Sequence, residues 1–301
     1  MKENNGGGVT AIIPARNEEA NIARVVRSIA AQEGIREILV VDDQSEDRTG
    51  EILNELQVEF PALRTIRIDR LPEGWTGKSY AVTTAARMAA GEWLLFTDAD
   101  TEHLPGSLAA LLERAQTEGA DLLSVSPGQR TPTWWEKAVI PLVYVHLARL
   151  YRFEEVSDPQ SPAAAANGQY ILIRREAYRR AGGHEAVRGE ILEDVELARR
   201  VKAAGGRLLF LPGAAWVQTR MYQSFLEMWR GWTKNLYLLY GQSVAMMLRT
   251  LLELWLFDVL PALGFFVFCA VLVLGRGGTV TAAATMGFFT VVLLRQWRYS
   301  Q

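Results

Sequence analysis

Apolar residues in the first hundred positions arrive in short bursts separated by amphipathic stretches. Val9-Thr10-Ala11-Ile12-Ile13 is an apolar run stopped by Pro14, the pattern of a strand buried on both faces. Ile22, Val25, Val26 and Ile29 then recur at i, i+3, i+4 and i+7, which predicts a helix with one apolar face. Asn17 reads as its N-cap, with Glu18 and Glu19 in a first turn where carboxylates favour the helix dipole. A second strand is predicted over Ile38–Val41 and a helix through Leu56, then a third strand over Arg64–Ile68. A loop over Gly74–Lys78, a helix from Ser79 to Ala90 closed by Gly91, and a fourth strand over Trp93–Phe96 complete the series. Strands divided by helices of this length predict an α/β fold with a mostly parallel, doubly wound sheet. Ligands bind such sheets beyond the carboxyl ends of the strands.

The second half is less regular. Leu122–Val125, Tyr170–Ile173 and Arg207–Leu211 read as strands, and Glu193–Ala204 as a helix stopped by Gly205-Gly206. The aromatic and aliphatic stretch Trp134–Tyr151 reads as a core helix or as a helix laid against a membrane. Leu254–Leu274 is 21 residues with one acid, and a hydrocarbon core needs about 20. Thr279–Leu294 adds 16 more after the tight link Arg276-Gly277-Gly278, so a C-terminal transmembrane helical hairpin is expected. Inside or at the edge of a span, Glu253 and Asp258 require pairing or solvation. Arg230, Lys234 and Arg249 precede the first span, and Arg295 and Arg298 follow the second. By the positive-inside rule both ends, and the globular domain with them, are expected in the cytoplasm of a multi-pass inner (cell) membrane protein. The expected divisions are a disordered N-terminus over 1–8, an α/β domain over 9–225, an interfacial helical connector over 226–249 and transmembrane helices over 250–301. Residues 1–8 are polar and glycine-rich, with no hydrophobic stretch that would read as a signal peptide.

Composition adds little beyond that split. The net charge of −2 gives no basic face for a nucleic acid. The single cysteine, Cys269, excludes an internal disulfide and fits a reducing compartment.

The candidate chemistry lies in carboxylates at predicted strand ends. Asp98-Ala99-Asp100 follows the fourth strand, and two carboxylates at i and i+2 can hold a hard divalent cation, Mg²⁺ or Mn²⁺, beside a diphosphate. Asp42-Asp43 ends the second strand, where Asp43 can accept hydrogen bonds from a base or ribose. A helix-capping turn also suits the Asp-x-Ser-x-Asp run, with Asp42 and Asp47 serving the turn.

Four motifs occur in this order: Ile12-Ile13-Pro14-Ala15-Arg16-Asn17-Glu18-Glu19, Val41 to Asp47, Thr97-Asp98-Ala99-Asp100, and Leu192-Glu193-Asp194. In that order they resemble family 2 glycosyltransferases of the Rossmann-like GT-A fold, over Val9 to about Asn235. Gly74-Trp75-Thr76-Gly77-Lys78, Arg220-Met221-Tyr222-Gln223 and Gly231-Trp232-Thr233-Lys234 are similar to the bacterial branch of carotenoid (diaponeurosporenoate) and hopanoid-associated enzymes. The resemblance implies an inverting, metal-dependent transfer of sugar from a nucleotide-sugar, a UDP-hexose, to a membrane lipid such as a terpenoid. It implies that Pro14, Ala15, Asn17, Glu19, Asp43, Lys78, Asp98 and Asp100 bind the donor, the last two through the metal. Asp194 would be the catalytic base, with Glu193, Arg220, Tyr222 and Trp232 towards the acceptor. Lys78 also fits a solvated surface lysine, and His184 either a metal ligand or an ordinary loop histidine. The Gln-x-x-Arg-Trp signature of processive synthases is absent, and Met228-Trp229-Arg230-Gly231-Trp232 occupies the comparable region. Transfer to a polyprenyl phosphate and a non-catalytic nucleotide-binding membrane scaffold are the alternatives. A nucleotidyltransferase fits the fold, but Pro14 to Glu19 lacks the glycine-rich phosphate loop it would need.

Overall fold

The computed structural model describes residues 7–240, 242–275, 278–279, 281, 283–284 and 286–290. The chain divides into two compact units, Met1–Phe225 and Leu226–Gln301.

In the first unit the elements run β1 (Val9–Ala15), α1 (Ile22–Ala30), β2 (Ile35–Asp43), α2 (Thr49–Glu59), β3 (Leu63–Ile68), α3 (Gly77–Met88) and β4 (Trp93–Phe96). There follow β5 (Thr101–His103), α4 (Ser107–Thr117), β6 (Leu122–Ser126), β7 (Gly128–Gln129), α5 (Trp134–Leu150) and α6 (Phe153–Ser157). The unit closes with β8 (Ile171–Arg174), α7 (Arg175–Arg180), α8 (Glu193–Ala203), β9 (Leu208–Pro212) and β10 (Val217–Thr219). Seven strands form one sheet in the order β3-β2-β1-β4-β8-β6-β9. Only β8 runs antiparallel to its neighbours. β5, β10 and β7 make a separate three-stranded sheet.

Alternation along the strands feeds two cores. Val9, Ala11 and Ile13 pack with Val25, Ile29, Leu53 and Leu108 of α1, α2 and α4, while Ile12, Leu39 and Phe96 pack with Ala81, Val82 and Leu197 of α3 and α8. Burial on both faces is why the strands read as unbroken apolar runs. β1 lies between β2 and β4, so the chain leaves it for one side of the sheet and later returns on the other. That reversal leaves a crevice at the carboxyl ends of β1, β2 and β4, which Pro14, Asp43 and Asp98 reach.

The second unit is helical, with α9 (Phe225–Leu239) leading into it, α10 (Val244–Leu254) and α11 (Leu260–Val273). The expected transmembrane hairpin is corrected here: among the described residues no helix is long and apolar enough to cross a membrane. A π-helical turn over Trp255–Val259 interrupts the first expected span, which leaves α11 with 14 residues. A crossing needs about 20. Much of the second expected span, residues 280, 282, 285 and 291–294, lies outside the described residues. Glu253 is paired, its carboxylate 2.9 Å from Arg249 Nε one turn earlier.

Of the stretch expected to be disordered, residues 1–6 lie outside the described residues. Gly7 and Gly8 do not conform to it. Gly7 N donates to Glu92 Oε2 at 3.1 Å, and Glu92 N donates to Gly8 O at 3.0 Å, which ties them to the residue before β4 in the middle of the sheet.

Candidate active site

The loops after β1 and β2 are laced together by their polar side chains. Asn17 N donates to Ser45 Oγ at 3.0 Å, and Glu46 N donates to Asn17 Oδ1 at 2.8 Å. Glu19 N donates to Asp47 Oδ2 at 3.0 Å, and Arg48 N returns a bond to Glu19 Oε2 at 3.1 Å. Asn17 is therefore not the cap of α1. Its φ of 56° is left-handed, and the helix begins after Asn21, whose N–H bonds Glu18 O. Asn17 and Glu19 brace the loops from the outside and do not line the cleft. Glu18 does, although the sequence offered it only as a helix-start charge.

Asp42 Oδ1 accepts from Ser45 N at 2.9 Å and closes the turn, which leaves Asp43 at the cleft. Gln44 Nε2 donates to Asp43 Oδ1 at 3.0 Å, and Arg16 Nη1 lies 3.7 Å from Asp43 Oδ2. Gly77 opens α3 directly opposite. A Cβ there would collide with Asp43 Oδ2. Thr76 caps that helix, its Oγ1 accepting from Ser79 N at 3.2 Å, and Lys78, two residues on, lines the crevice.

The cleft has a volume of about 440 Å³ and is lined by Pro14, Ala15, Arg16, Glu18, Asp43, Gly77, Lys78, Ala81 and Asp98 to Asp100. Lys78 is not a solvated surface lysine. Its Nζ lies 2.8 Å from Asp98 Oδ1 and 2.9 Å from Glu193 Oε1, with the side chain 37% exposed. Burial alone would lower its proton affinity, but Asp98, Glu193 and Asp194 outweigh that and hold it well above the usual lysine range.

Asp100 sits deeper. Burial first, then the charges of Asp98 and Glu18, push its carboxyl up to about 7. Its Oδ1 is buried without a hydrogen-bond partner. Its backbone is fixed, since Arg24 Nη2 and Thr219 Oγ1 both donate to Asp100 O, at 3.3 and 3.4 Å. Thr97 Oγ1 underpins the same turn, donating to Gln169 O at 2.8 Å and lying 3.1 Å from His103 Nε2. Burial lowers His103 to about 3, so this support is a neutral imidazole. Two crowded carboxylates, one oxygen of which has no partner, fit a divalent cation. Among the described residues no group of three or more acids, histidines or cysteines is placed to hold one, so the donor's diphosphate and water would complete its shell.

Beside the cleft, and sharing Pro14, Lys78 and Asp98 with its wall, a tight space of about 10 Å³ is also lined by Gly168, His184, Glu193 and Asp194. Asp194 opens α8. Its Oδ2 accepts from Gly168 N at 2.9 Å and its Oδ1 from Val195 N at 2.8 Å. Burial, then the neighbouring Glu193, raise its carboxyl to about 6, with Lys78 pulling the other way. Gly168 leaves room for the Lys78 ammonium, which a side chain there would displace. A Cβ on it would come within 2.8 Å of Lys78 Nζ and 3.5 Å of Asp194 Oδ2. The Asn167-Gly168 pair just before β8 is a turn signal that sequence reading passed over. His184 lowers to about 3 by burial and the charge of Lys78, and its Nδ1 lies 3.0 Å from Tyr178 Oη. It is a neutral wall residue beside Asp194, absent from the lining around Asp100.

The remaining acceptor-side candidates are dispersed. Arg220 Nε donates to Glu136 Oε1 at 2.9 Å and Nη1 to Gln223 Oε1 at 3.0 Å, so Arg220 is committed to the capping box that starts α5. Tyr222 is raised to about 12 by burial and the charge of Asp100, and it does not line the cleft. Trp232 is on α9 in the second unit.

The sequence model of glycosyl transferase family 2 matches residues 10–182, more than half of the chain. The chain belongs to glycosyl transferase family 2. The family is one of glycosyltransferases. Similar curated proteins are named 4,4'-diaponeurosporenoate glycosyltransferase. That of Staphylococcus haemolyticus is 28% identical over 239 residues, covering 76% of this chain and 60% of its own length. That of Staphylococcus aureus (strain USA300) is 29% identical over 264 residues, covering 86% of this chain and 68% of its own. The chain thus spans 60% to 68% of the length of these relatives. Among solved structures, the mannosyltransferase PcManGT from Pyrobaculum calidifontis in complex with GDP-Man and Mn2+ superposes with a TM-score of 0.59 at 20% identity. The match covers 97% of this chain and 87% of that one. S. aureus TarS 1-349 in complex with UDP-GlcNAc gives 0.52 at 16% identity, over 72% and 59%. At these identities the likeness shows the fold.

Proposed function

We propose that this family 2 member transfers a hexosyl group from a uridine diphosphate sugar to an apolar, terpenoid-type lipid, with inversion, at the cytoplasmic face of the cell membrane. The observation that carries the reading is the bridge made by Lys78, whose Nζ lies 2.8 Å from Asp98 Oδ1 and 2.9 Å from Glu193 Oε1. It links an acidic cleft suited to a metal-bound diphosphate to Asp194, a carboxylate held by Gly168 N–H with its proton affinity raised towards neutrality.

In this reading Asp43 accepts bonds from the uridine, and Asp98 and Asp100 hold Mg²⁺ or Mn²⁺. The cation supplies charge stabilisation for the departing diphosphate. Lys78 fixes Asp98 and Glu193 in one arrangement, so the donor end and the base end of the cavity stay in register. Asp194, ionised above about pH 6, takes the acceptor's hydroxyl proton as that oxygen attacks the anomeric carbon and the bond to diphosphate breaks. The names of the curated relatives support a carotenoid-type acceptor, and the titles of the neighbours support a nucleotide-sugar donor with a divalent cation.

The membrane face is supported by apolar surface. Trp134 on α5 is 79% exposed, and Trp229 on α9, Leu248 and Leu252 on α10 are also exposed. Large apolar side chains left exposed, taken on each unit by itself, fit a partner or a membrane surface. Arg230 and Lys234 flank Trp229 and Tyr237 along one side of α9, a mixture of cations and amphipathic rings suited to anionic headgroups. The predicted consequence is a strong preference for acceptors with a long apolar tail. Comparable rates on a water-soluble oligosaccharide and a polyisoprenoid alcohol would overturn it. The functional reading itself is tested by extracting lipids from cells with and without the chain. Mass spectrometry should find a hexose added to an apolar lipid, and labelled sugar appearing only in water-soluble products would contradict the reading.

Gly77 gives a sharper local test. Gly77→Ala forces Asp43 off its rotamer, at a cost of about 0.5–1.5 kcal/mol. The donor KM should rise by up to about tenfold with kcat little changed. An unchanged donor KM would remove Asp43 from the base-binding role.

A further inference from the structure

A second cavity, about 420 Å³, lies between α3 and α7 and shares no lining residue with the catalytic cleft. Thr83 and Arg87 of α3, Arg175, Tyr178 and Arg179 of α7, and Glu185 line it. Three guanidiniums face one carboxylate, whereas the catalytic cleft sets four carboxylates against Arg16 and Lys78. The two cavities are electrostatic opposites.

The arginines are not equally engaged. Arg87 Nη2 pairs with Glu185 Oε2 at 2.7 Å, which neutralises both. Arg175 is half-buried and spends only Nη1, on Ala89 O at 3.0 Å. Arg179 is exposed and makes no side-chain hydrogen bond or ion pair among the described residues. Thr83 is 5% exposed, and its Oγ1 lies against the Tyr178 phenol without hydrogen-bond geometry to any group. Two guanidinium forks one helical turn apart and a buried hydroxyl at the floor are the donors that a phosphate's oxygens require.

We propose that this cavity is a second anion site, taking a phosphate-bearing ligand between Arg175 and Arg179, either a free phosphate ester or a phospholipid headgroup. The assignment does not depend on the reaction proposed for the catalytic cleft. Tyr178 forms part of its wall, and the other side of that residue meets His184 beside Asp194, so one pair of side chains separates the two cavities.

The test uses the whole chain stripped of divalent ions by a chelator, which leaves the catalytic cleft net acidic and repellent to anions. Titration with inorganic phosphate, followed by calorimetry and phosphorus NMR, should reveal one saturable site. Arg179→Gln should weaken it by about tenfold or more, the loss of one charge-assisted fork. Arg179→Lys should fall between, because it keeps the charge without the fork. Lys78→Gln should leave phosphate affinity unchanged. Circular dichroism melting of each variant checks that the fold is intact, and exposed Arg179 gives little reason for it to fail. Sedimentation with phosphatidylglycerol vesicles, against phosphatidylcholine, separates the sources. Arg179-dependent binding of phosphate identifies a soluble ester, and Arg179-dependent binding of the anionic vesicles alone identifies a headgroup. Phosphate and vesicle binding that both ignore Arg179→Gln, or phosphate binding lost instead in Lys78→Gln, would overturn the proposal.

Discussion

Replacing Asp194 by Asn should lower turnover by roughly 10²–10⁴, the range lost with a general base, while the donor KM stays nearly constant. Asp194 is absent from the lining of the donor cleft, so its loss should fall on chemistry more than on donor binding. Wild-type kcat should climb as pH passes about 6 and level off above 7, because only the ionised carboxylate accepts a proton. The Asn variant should lack that limb. Stability moves the opposite way. Folding raises this carboxyl from 3.8 to about 6, so its stabilising contribution is complete below about pH 3.8 and is lost as pH rises through 6. Asn keeps one acceptor for the two N–H bonds from Gly168 and Val195, so the melting temperature of Asp194→Asn relative to wild type should be higher at pH 8 than at pH 3, by an amount on the order of 1–2 kcal/mol. Retained activity with lowered stability would instead make Asp194 a helix-start charge.

Removing the divalent cation should cost about 10³-fold in turnover, since neutralising a departing diphosphate supplies several kcal/mol of barrier lowering. Mg²⁺ or Mn²⁺ should restore it. Asp100→Asn should lose comparable activity and should not be rescued. The structural reason is the tension at Asp100, pushed up to about 7 by burial and by Asp98 and Glu18. Without a cation, that carboxyl destabilises the fold progressively from pH 3.8 to about 7, so Asp100→Asn should raise the melting temperature at pH 8. Metal should raise the wild-type melting temperature more at pH 8 than at pH 5, because protons compete for the ligands. Full turnover in excess chelator would sink this part of the account.

The parallel strands were legible because burial on both faces leaves apolar runs, and the acids at their ends were legible because topology puts ligands there. What escaped detection has physical causes. β5, β7 and β10 are two or three residues long, too short for any period to register. Asn17 looks like a cap in sequence, but its left-handed backbone turns its side chain to Glu46 N. That turn carries Glu18 into the cleft and Glu19 out of it, a choice that two adjacent glutamates cannot reveal. Lys78 fitted either phosphate or solvent by composition, and only the fold brings Glu193, 115 positions later, to the same ammonium. Hydropathy over 254–274 could not register the π-turn at Trp255–Val259.

The most direct test of the central claim is the stereochemistry of the product. A single displacement across the cavity, with Asp194 on the acceptor side and the metal-bound diphosphate leaving on the other, must invert the anomeric carbon. The enzyme is incubated with an α-linked uridine diphosphate hexose and a long-chain terpenoid acceptor, and the anomeric coupling constant of the purified glycolipid is read by proton NMR. The account predicts a β-linked product. An α-linked product would contradict the single displacement and, with it, the role of Asp194 as base.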